Sequence, residues 1–210
     1  MNILALCAAL NNSYLAYEFQ NDFYSEIIKS DENYHSLYLI PKIKKLIDDK
    51  KINLKELDLI VVNCGPGSFT GIRVALSIAK VMAGELNLPL VGLNSAEILL
   101  KAYDKKALIM DARRDMFFFA TKDDIKLVYK EKIKDYLKDI DEKDIDEKDI
   151  LVDKRCFEEF SNALCFEEVE KDLGKVMIEL GKEKFENAKD KSIFNYMTVN
   201  ANYIQTPPVV

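Results

Sequence analysis

The sequence predicts an α/β fold in two subdomains, with a mixed sheet in which an antiparallel meander is extended by parallel crossover strands. Three observations lead there. Three short β-type segments open the chain, an apolar strand–helix–strand–helix series follows, and a second set of strands begins near Lys105. Of 210 residues, 49% are hydrophobic. That suffices for one fairly large core or two small ones, and it excludes disorder, collagen and a disulfide-stapled miniprotein.

Segments 2–6, 14–18 and 23–28 are separated by turns at Asn11, Asn12, Asn21 and Asp22, which suits a meander. A helix is expected over 36–49, where Leu37, Ile40, Ile43 and Ile47 recur at three and four and Leu39 and Leu46 widen the stripe. Pro41 costs it the hydrogen bond to Leu37 and bends it. Residues 57–64, LDLIVVNC, read as a wholly apolar strand. Gly65, Pro66 and Gly67 make a turn, and Ser68 or Thr70 caps a helix running to about residue 85. Ile72, Ala75, Leu76, Ala79 and Met82 line one side of that helix, while Val74, Ile78 and Val81 make a second apolar side. Such a helix is buried in a large core or covered by another subunit. Residues 88–93 form a strand and 96–103 a short helix, a spacing that requires parallel crossovers.

The first subdomain therefore spans 1–104 and the second 105–210. In the second, 107–111, 116–121 and 126–130 are strands around the sequence DARRD, and 150–153 is a last strand. Segments 158–164 and 167–180 read as helices, the latter with a stripe of Val169, Leu173, Val176, Met177 and Leu180 ended by Gly181. Residues 139–149, DIDEKDIDEKD, hold seven acids and two lysines, and Ile140, Ile145 and Ile150 match no regular period. A solvated surface linker is the economical reading, and an acidic docking tail is the alternative. The final YIQTPPVV is too short and proline-rich for a core element.

Thirty Lys plus Arg stand against 36 Asp plus Glu, a net charge of -6. A surface charged that way does not collect phosphate backbones by itself, so a nucleic-acid role runs through a partner. Cys7, Cys64, Cys156 and Cys165 form no CxxC, which suits buried thiols in a reducing compartment. The apolar run 3–10 is too short for a secretory signal, no apolar run reaches the length of a membrane span, and the cytoplasm is the expected location.

The most distinctive stretch is 65–73, GPGSFTGIR. It lacks the Gly-Lys-Ser/Thr ending of a P-loop, and glycines at 65, 67 and 71 do not match the dinucleotide fingerprint. Gly65, Gly67, Ser68, Thr70, Gly71 and Arg73 either build a tight strand-to-helix turn or, through free N–H groups, a candidate anion site. Asp111, Arg113 and Arg114, at a strand end, serve a subdomain cleft or form a structural ion pair. With His35 the sole histidine, no ordinary zinc or iron ligand set is available, and His35 is expected to cap or flank the first helix. Ser68 and Ser95 read as helix caps, and no nucleophile elbow is present.

The runs HSLYLIPKIKKLI (35–47), DLIVVNCGPGSFTGIRVALSIAKVMAGELNLPLVGLNSAEIL (58–99) and IMDARRDMFFF (109–119) together resemble the bacterial TsaB family, formerly YeaZ. The likeness covers nearly 90 residues and fades beyond Lys122, where Asn202, Tyr203, Ile204 and Gln205 stand near the family's usual Tyr-Leu-Arg. It implies an actin-like/Hsp70-like ATPase-superfamily (ribonuclease H-like) fold. It also implies a noncatalytic dimerisation subunit supporting TsaD in forming N6-threonylcarbamoyladenosine at position 37 of tRNAs reading ANN codons. Where the family's first strand commonly ends in Asp-Thr-Ser, this chain has Cys7, Ala8 and Ala9. That argues against magnesium or phosphate positioning. The resemblance implies no catalytic residue, no metal and no cofactor in this chain. Its partners are TsaD in a heterodimer, TsaE in the larger complex and a second copy when alone, with tRNA reached only indirectly. The two N-terminal helices would supply the interface through Leu37, Ile40, Ile43, Ile47, Ile72, Ala75, Leu76, Ala79 and Met82. The alternative is an autonomous nucleotide-binding phosphotransferase or hydrolase of the same superfold.

Overall fold

The computed structural model describes residues 1–20, 22–29, 35–139 and 145–203, with backbone alone at 35–37 and 138–139. It divides the chain into two compact units, 1–98 with 172–202 and 99–171 with Tyr203. The expected division after residue 104 differs in one large respect: the chain returns to the first unit at Asp172. The reason is the helix that follows, whose small residues pack on the first sheet.

In the first unit the strands β1 (Ile3–Cys7), β2 (Ser13–Phe19) and β3 (Asp22–Ile28) form the antiparallel meander, and β4 (Leu59–Asn63) and β5 (Leu90–Leu93) add in parallel. The order is β3-β2-β1-β4-β5. β1 and β4 are buried at every residue, as their apolar runs, broken only by Asn63 at the end of β4, require of strands covered on both faces. Helices α1 (His35–Lys50) and α2 (Phe69–Leu86) pack with Leu4, Leu6, Leu15, Ile60 and Val62. The opposite face, which carries Val61 by alternation, receives α5 (Leu173–Asn187). The helix α3 (Ser95–Tyr103) follows β5.

Gly181 does not end α5. The helix runs through it to Asn187, because a Cβ there would lie 2.3 Å from Val61 Cγ2, so the missing side chain is what lets helix and sheet approach. The helix begins at Asp172, whose carboxylate accepts from Gly174 N and Lys175 N and from the Ser25 hydroxyl at 2.6 Å.

The second unit repeats the same topology. Strands β6 (Ala107–Arg113), β7 (Met116–Thr121) and β8 (Ile125–Tyr129) form a meander, and β9 (Ile150–Val152) and β10 (Leu164–Cys165) add in parallel to β6, in the order β10-β9-β6-β7-β8. A short helix, α4 (Ile133–Asp139), was not anticipated; it sets Ile133 into a core with Phe117, Phe119 and Phe160. The helix expected over 158–164 is instead a chain of tight turns, Glu159 N to Cys156 O, Phe160 N to Phe157 O and Ala163 N to Phe160 O. Cys156, Phe160 and Ala163 are buried at intervals of four and three, so the spacing imitated a helix.

Residues 140–144 of the acidic stretch lie outside the described residues. The remainder runs along the surface, with Asp146 and Lys148 exposed, but it is anchored: Asp149 pairs with Lys106 at 3.0 Å, Glu147 accepts from Asn162 at 2.8 Å, and Ile145 packs on the core of the second unit.

Candidate functional site

The turn after β4 is held by a buried polar knot. Asn63 is fully buried; its Oδ1 accepts from Gly65 N at 2.8 Å and its Nδ2 donates to Cys7 Sγ at 3.3 Å. The Ser95 hydroxyl donates to Pro66 O at 2.6 Å, and Ser95 N donates to Gly65 O. A buried amide left unpaired costs on the order of 1–3 kcal/mol, so this knot specifies the turn. Ser95 is not the helix cap that the sequence suggests. Asn94 does that work, accepting from Glu97 N at 2.7 Å while Glu97 Oε1 accepts from Asn94 N. One signal for the knot was present, an Asn inside an otherwise apolar strand.

The same turn lies hard against the end of β1. Ser68 N donates to Ala9 O at 2.7 Å, Gly71 N donates to Ser68 Oγ, and Ile72 N to Ser68 O. A Cβ on Gly67 would stand 2.0 Å from Ala9 O and one on Gly71 1.7 Å from Ala8 O. The Ala9 carbonyl, just past β1, and the Ser68 hydroxyl thus occupy two N–H groups that an anion would need. Arg73 turns to solvent, its guanidinium 3.9 Å from the Phe69 ring centroid. Of the two readings of GPGSFTGIR, the geometry fits the architectural one. Burial of Cys7 at this junction pushes its thiol pKa up, as burial beside β5 does for Cys64, to about 11.

The interface residues expected from periodicity divide sharply. Ile43, Ile72, Ala75, Leu76 and Ala79 are buried within the unit's own core. Ile47 and Met82 are half-buried, Ile40 is exposed, and the Leu37 side chain lies outside the described residues, as does that of His35. The apolar side chains α1 and α2 leave outward are Tyr38 (54% exposed), Ile40 (59%), Phe69 (54%) and Val81 (65%). Ile40 belongs to the expected interface set and Val81 to the second apolar side of α2; which side of α2 turns inward is not legible in the sequence, because both are apolar.

Asp111 draws together a third group. Its carboxylate meets Lys130 Nζ and Arg155 Nη1, each at 3.3 Å, and accepts from Arg113 N. Burial opposes its ionisation, but these three donors outweigh it and hold the pKa below the ordinary carboxylate value. The structural ion-pair reading thus applies to Asp111, with Lys130 and Arg155, unforeseen from sequence, as its partners; Arg113 joins through its backbone and Arg114 not at all.

A pocket of about 330 Å³ lies beside β5, lined in part by Cys64, Asn94, Lys184 and Phe194. Lys184 there donates to Gly92 O and pairs with Glu97 at 3.5 Å. No helix of the described residues is long and apolar enough to cross a membrane.

A family model described as TsaD, tRNA N6-adenosine threonylcarbamoyltransferase, matches residues 22–144, more than half of the chain. The chain belongs to this family, in its TsaB/YeaZ branch. Proteins named tRNA threonylcarbamoyladenosine biosynthesis protein TsaB are similar to it. The one from Buchnera aphidicola (subsp. Schizaphis graminum) is 30% identical over 112 residues, 51% of this chain and 53% of the relative. That of Bacillus subtilis is 30% identical over 122 residues, 56% and 53%. The matched part thus spans about half the length of these curated relatives. YeaZ from Pseudomonas aeruginosa superposes with a TM-score of 0.51 at 24% identity, over 60% of this chain and 63% of that one. A protein with similarity to peptidase YeaZ from Pseudomonas aeruginosa reaches 0.70 at 15% identity over 97% and 99%. These structures establish the fold as that of the YeaZ proteins.

Proposed function

We propose that the chain is a noncatalytic subunit of the cytoplasmic machinery that forms N6-threonylcarbamoyladenosine on tRNA, pairing with TsaD and, when alone, with a second copy of itself. TsaE joins the larger assembly, and TsaD carries the transfer chemistry. One observation carries the noncatalytic part of this reading: where a nucleotide-using relative needs open N–H groups and a carboxylate, Ser68 N is taken by Ala9 O and Gly71 lies too close to Ala8 O to leave room even for a Cβ. The interface part rests on the four outward apolar residues of α1 and α2.

Co-elution with TsaD of the same organism tests it. Val81→Asp, at a 65% exposed position, should leave the melting temperature within the range of ordinary surface substitutions and abolish co-elution. Ala79→Asp, at a fully buried position, should unfold the chain by burying an unpaired charge. With a threonylcarbamoyl-adenylate synthase and tRNA but without TsaD, no modified adenosine should form. Modified product in that mixture, or undiminished co-elution by a folded Val81→Asp, would refute the proposal.

A further inference from the structure

The hairpin between β6 and β7 breaks a local rule. Arg113 pairs with Met116, so Arg114 and Asp115 are the two loop residues, and Arg113, Arg114 and Asp115 have φ of 62°, 50° and 59°. Two-residue hairpin loops with both φ values positive ordinarily carry Asn-Gly or Asp-Gly, because a Cβ in the left-handed region costs about 1–2 kcal/mol. Three successive non-glycine residues hold that conformation here.

The base of the hairpin is bolted down. Asp111 is pinned by Lys130 and Arg155, Asp111 N donates to Asp153 Oδ2 at 2.8 Å, and Lys130 N donates to Asp115 O at 2.9 Å. The tip is not. Of the chain's four arginines, Arg73 stacks on Phe69 and Arg155 pairs with Asp111. Arg113 and Arg114 are exposed, and among the described residues neither guanidinium has a hydrogen-bond or ion-pair partner. A strained, rigidly footed turn therefore presents two adjacent planar forks. Backbone strain maintained by surrounding structure is a mark of functional segments, and the guanidinium fork matches phosphate oxygens bidentately.

We propose that this hairpin tip is a phosphate-backbone contact for RNA, with Arg113 and Arg114 as the contacting side chains. It rests on the tRNA reading above for the choice of RNA, and it goes beyond that reading in giving this chain a direct contact. The net charge of -6 keeps the isolated chain's affinity low, so two contacts show as a change in salt dependence rather than as tight binding.

The test titrates the full chain with a tRNA transcript from about 20 to 150 mM salt, a range over which the counterion-release term is steep. Arg113→Gln/Arg114→Gln should flatten the slope of log affinity against log salt by about 1.4–1.8, from roughly 0.7–0.9 per phosphate contact. Arg114→Asn/Asp115→Gly, which supplies the residues the turn ordinarily uses, should melt higher than wild type yet bind RNA more weakly. An unchanged slope in folded variants, or no binding by wild type at 20 mM salt, overturns the proposal. Lost TsaD co-elution with unaltered RNA binding overturns it too, making the tip a protein-docking element. An RNA effect without wild-type TsaD co-elution keeps the hairpin contact and discards the complex; the reverse pair of results does the opposite.

Discussion

Replacing Gly71 by alanine should destabilise the chain by about 3 kcal/mol, although alanine is ordinarily the better helix residue. A Cβ at Gly71 would stand 1.7 Å from Ala8 O and 2.8 Å from the carbonyl carbon of Ala8, whose side chain is fully buried at the end of β1. Since C···O contacts close at roughly 3.3 Å, about 1.5 Å of separation must come from moving backbone against backbone. Overpacking of that kind costs about 1–3 kcal/mol. The displacement also draws Ser68 N away from Ala9 O, 2.7 Å distant, and an unsatisfied buried group costs a further 1–3 kcal/mol or so. Helix propensity returns about 1 kcal/mol of this. Gly84→Ala on the same helix is the control, because its Cβ would lie 3.2 Å from the Tyr196 ring, a side chain that can yield; it should stay within about 1 kcal/mol of wild type. Urea unfolding followed by far-ultraviolet circular dichroism measures both, and for a chain of this size 3 kcal/mol corresponds to a melting shift of about 6–12 °C. A Gly71→Ala variant as stable as wild type would mean that β1 and the start of α2 are not pressed together, and the argument that carbonyls fill the turn would fall with it.

Asp111→Asn should lower stability at neutral pH, since Lys130 and Arg155 lose their shared carboxylate. The folded pKa of Asp111 lies below the unfolded 3.8, so its contribution is present above that value and vanishes as pH falls through the folded pKa; the wild-type and variant acid unfolding curves should converge there. On the alkaline side the sign reverses. Burial raises Cys64 from 9.0 to about 11 and Tyr103 from 10.0 to about 12, so each contributes stability that is full below its unfolded pKa and lost as pH rises through the folded value. A urea midpoint that falls steadily from pH 9 to 11 is expected, and Cys64→Ser should make that fall shallower. All four buried thiols should resist a disulfide reagent at pH 8 and react together once urea unfolds the chain.

What could be read from the sequence is what local periodicity encodes. The three opening strands, the apolar β4, the helices over 35–50 and 69–86 and the strands flanking DARRD all follow from repeats of two, three and four residues, with turn residues between them. Gly67 and Gly71 were legible as positions needing close backbone approach, but not what approaches them. Which apolar side of α2 faces inward was decided by the sheet: α2 packs on β4 and β1 with Ala75 and Ala79 fully buried, and this leaves Phe69 and Val81 outside. Asn63 gained its role from Ser95 and Cys7, 32 and 56 residues away, and Asp111 from Arg155, 44 residues away. The return of α5 to the first sheet depends on Gly174 meeting Ala16 and Gly181 meeting Val61. Period is a property of one segment, whereas burial, pairing and the left-handed turn of the DARRD hairpin are settled by what other segments bring to it, and only the tertiary structure supplies those neighbours.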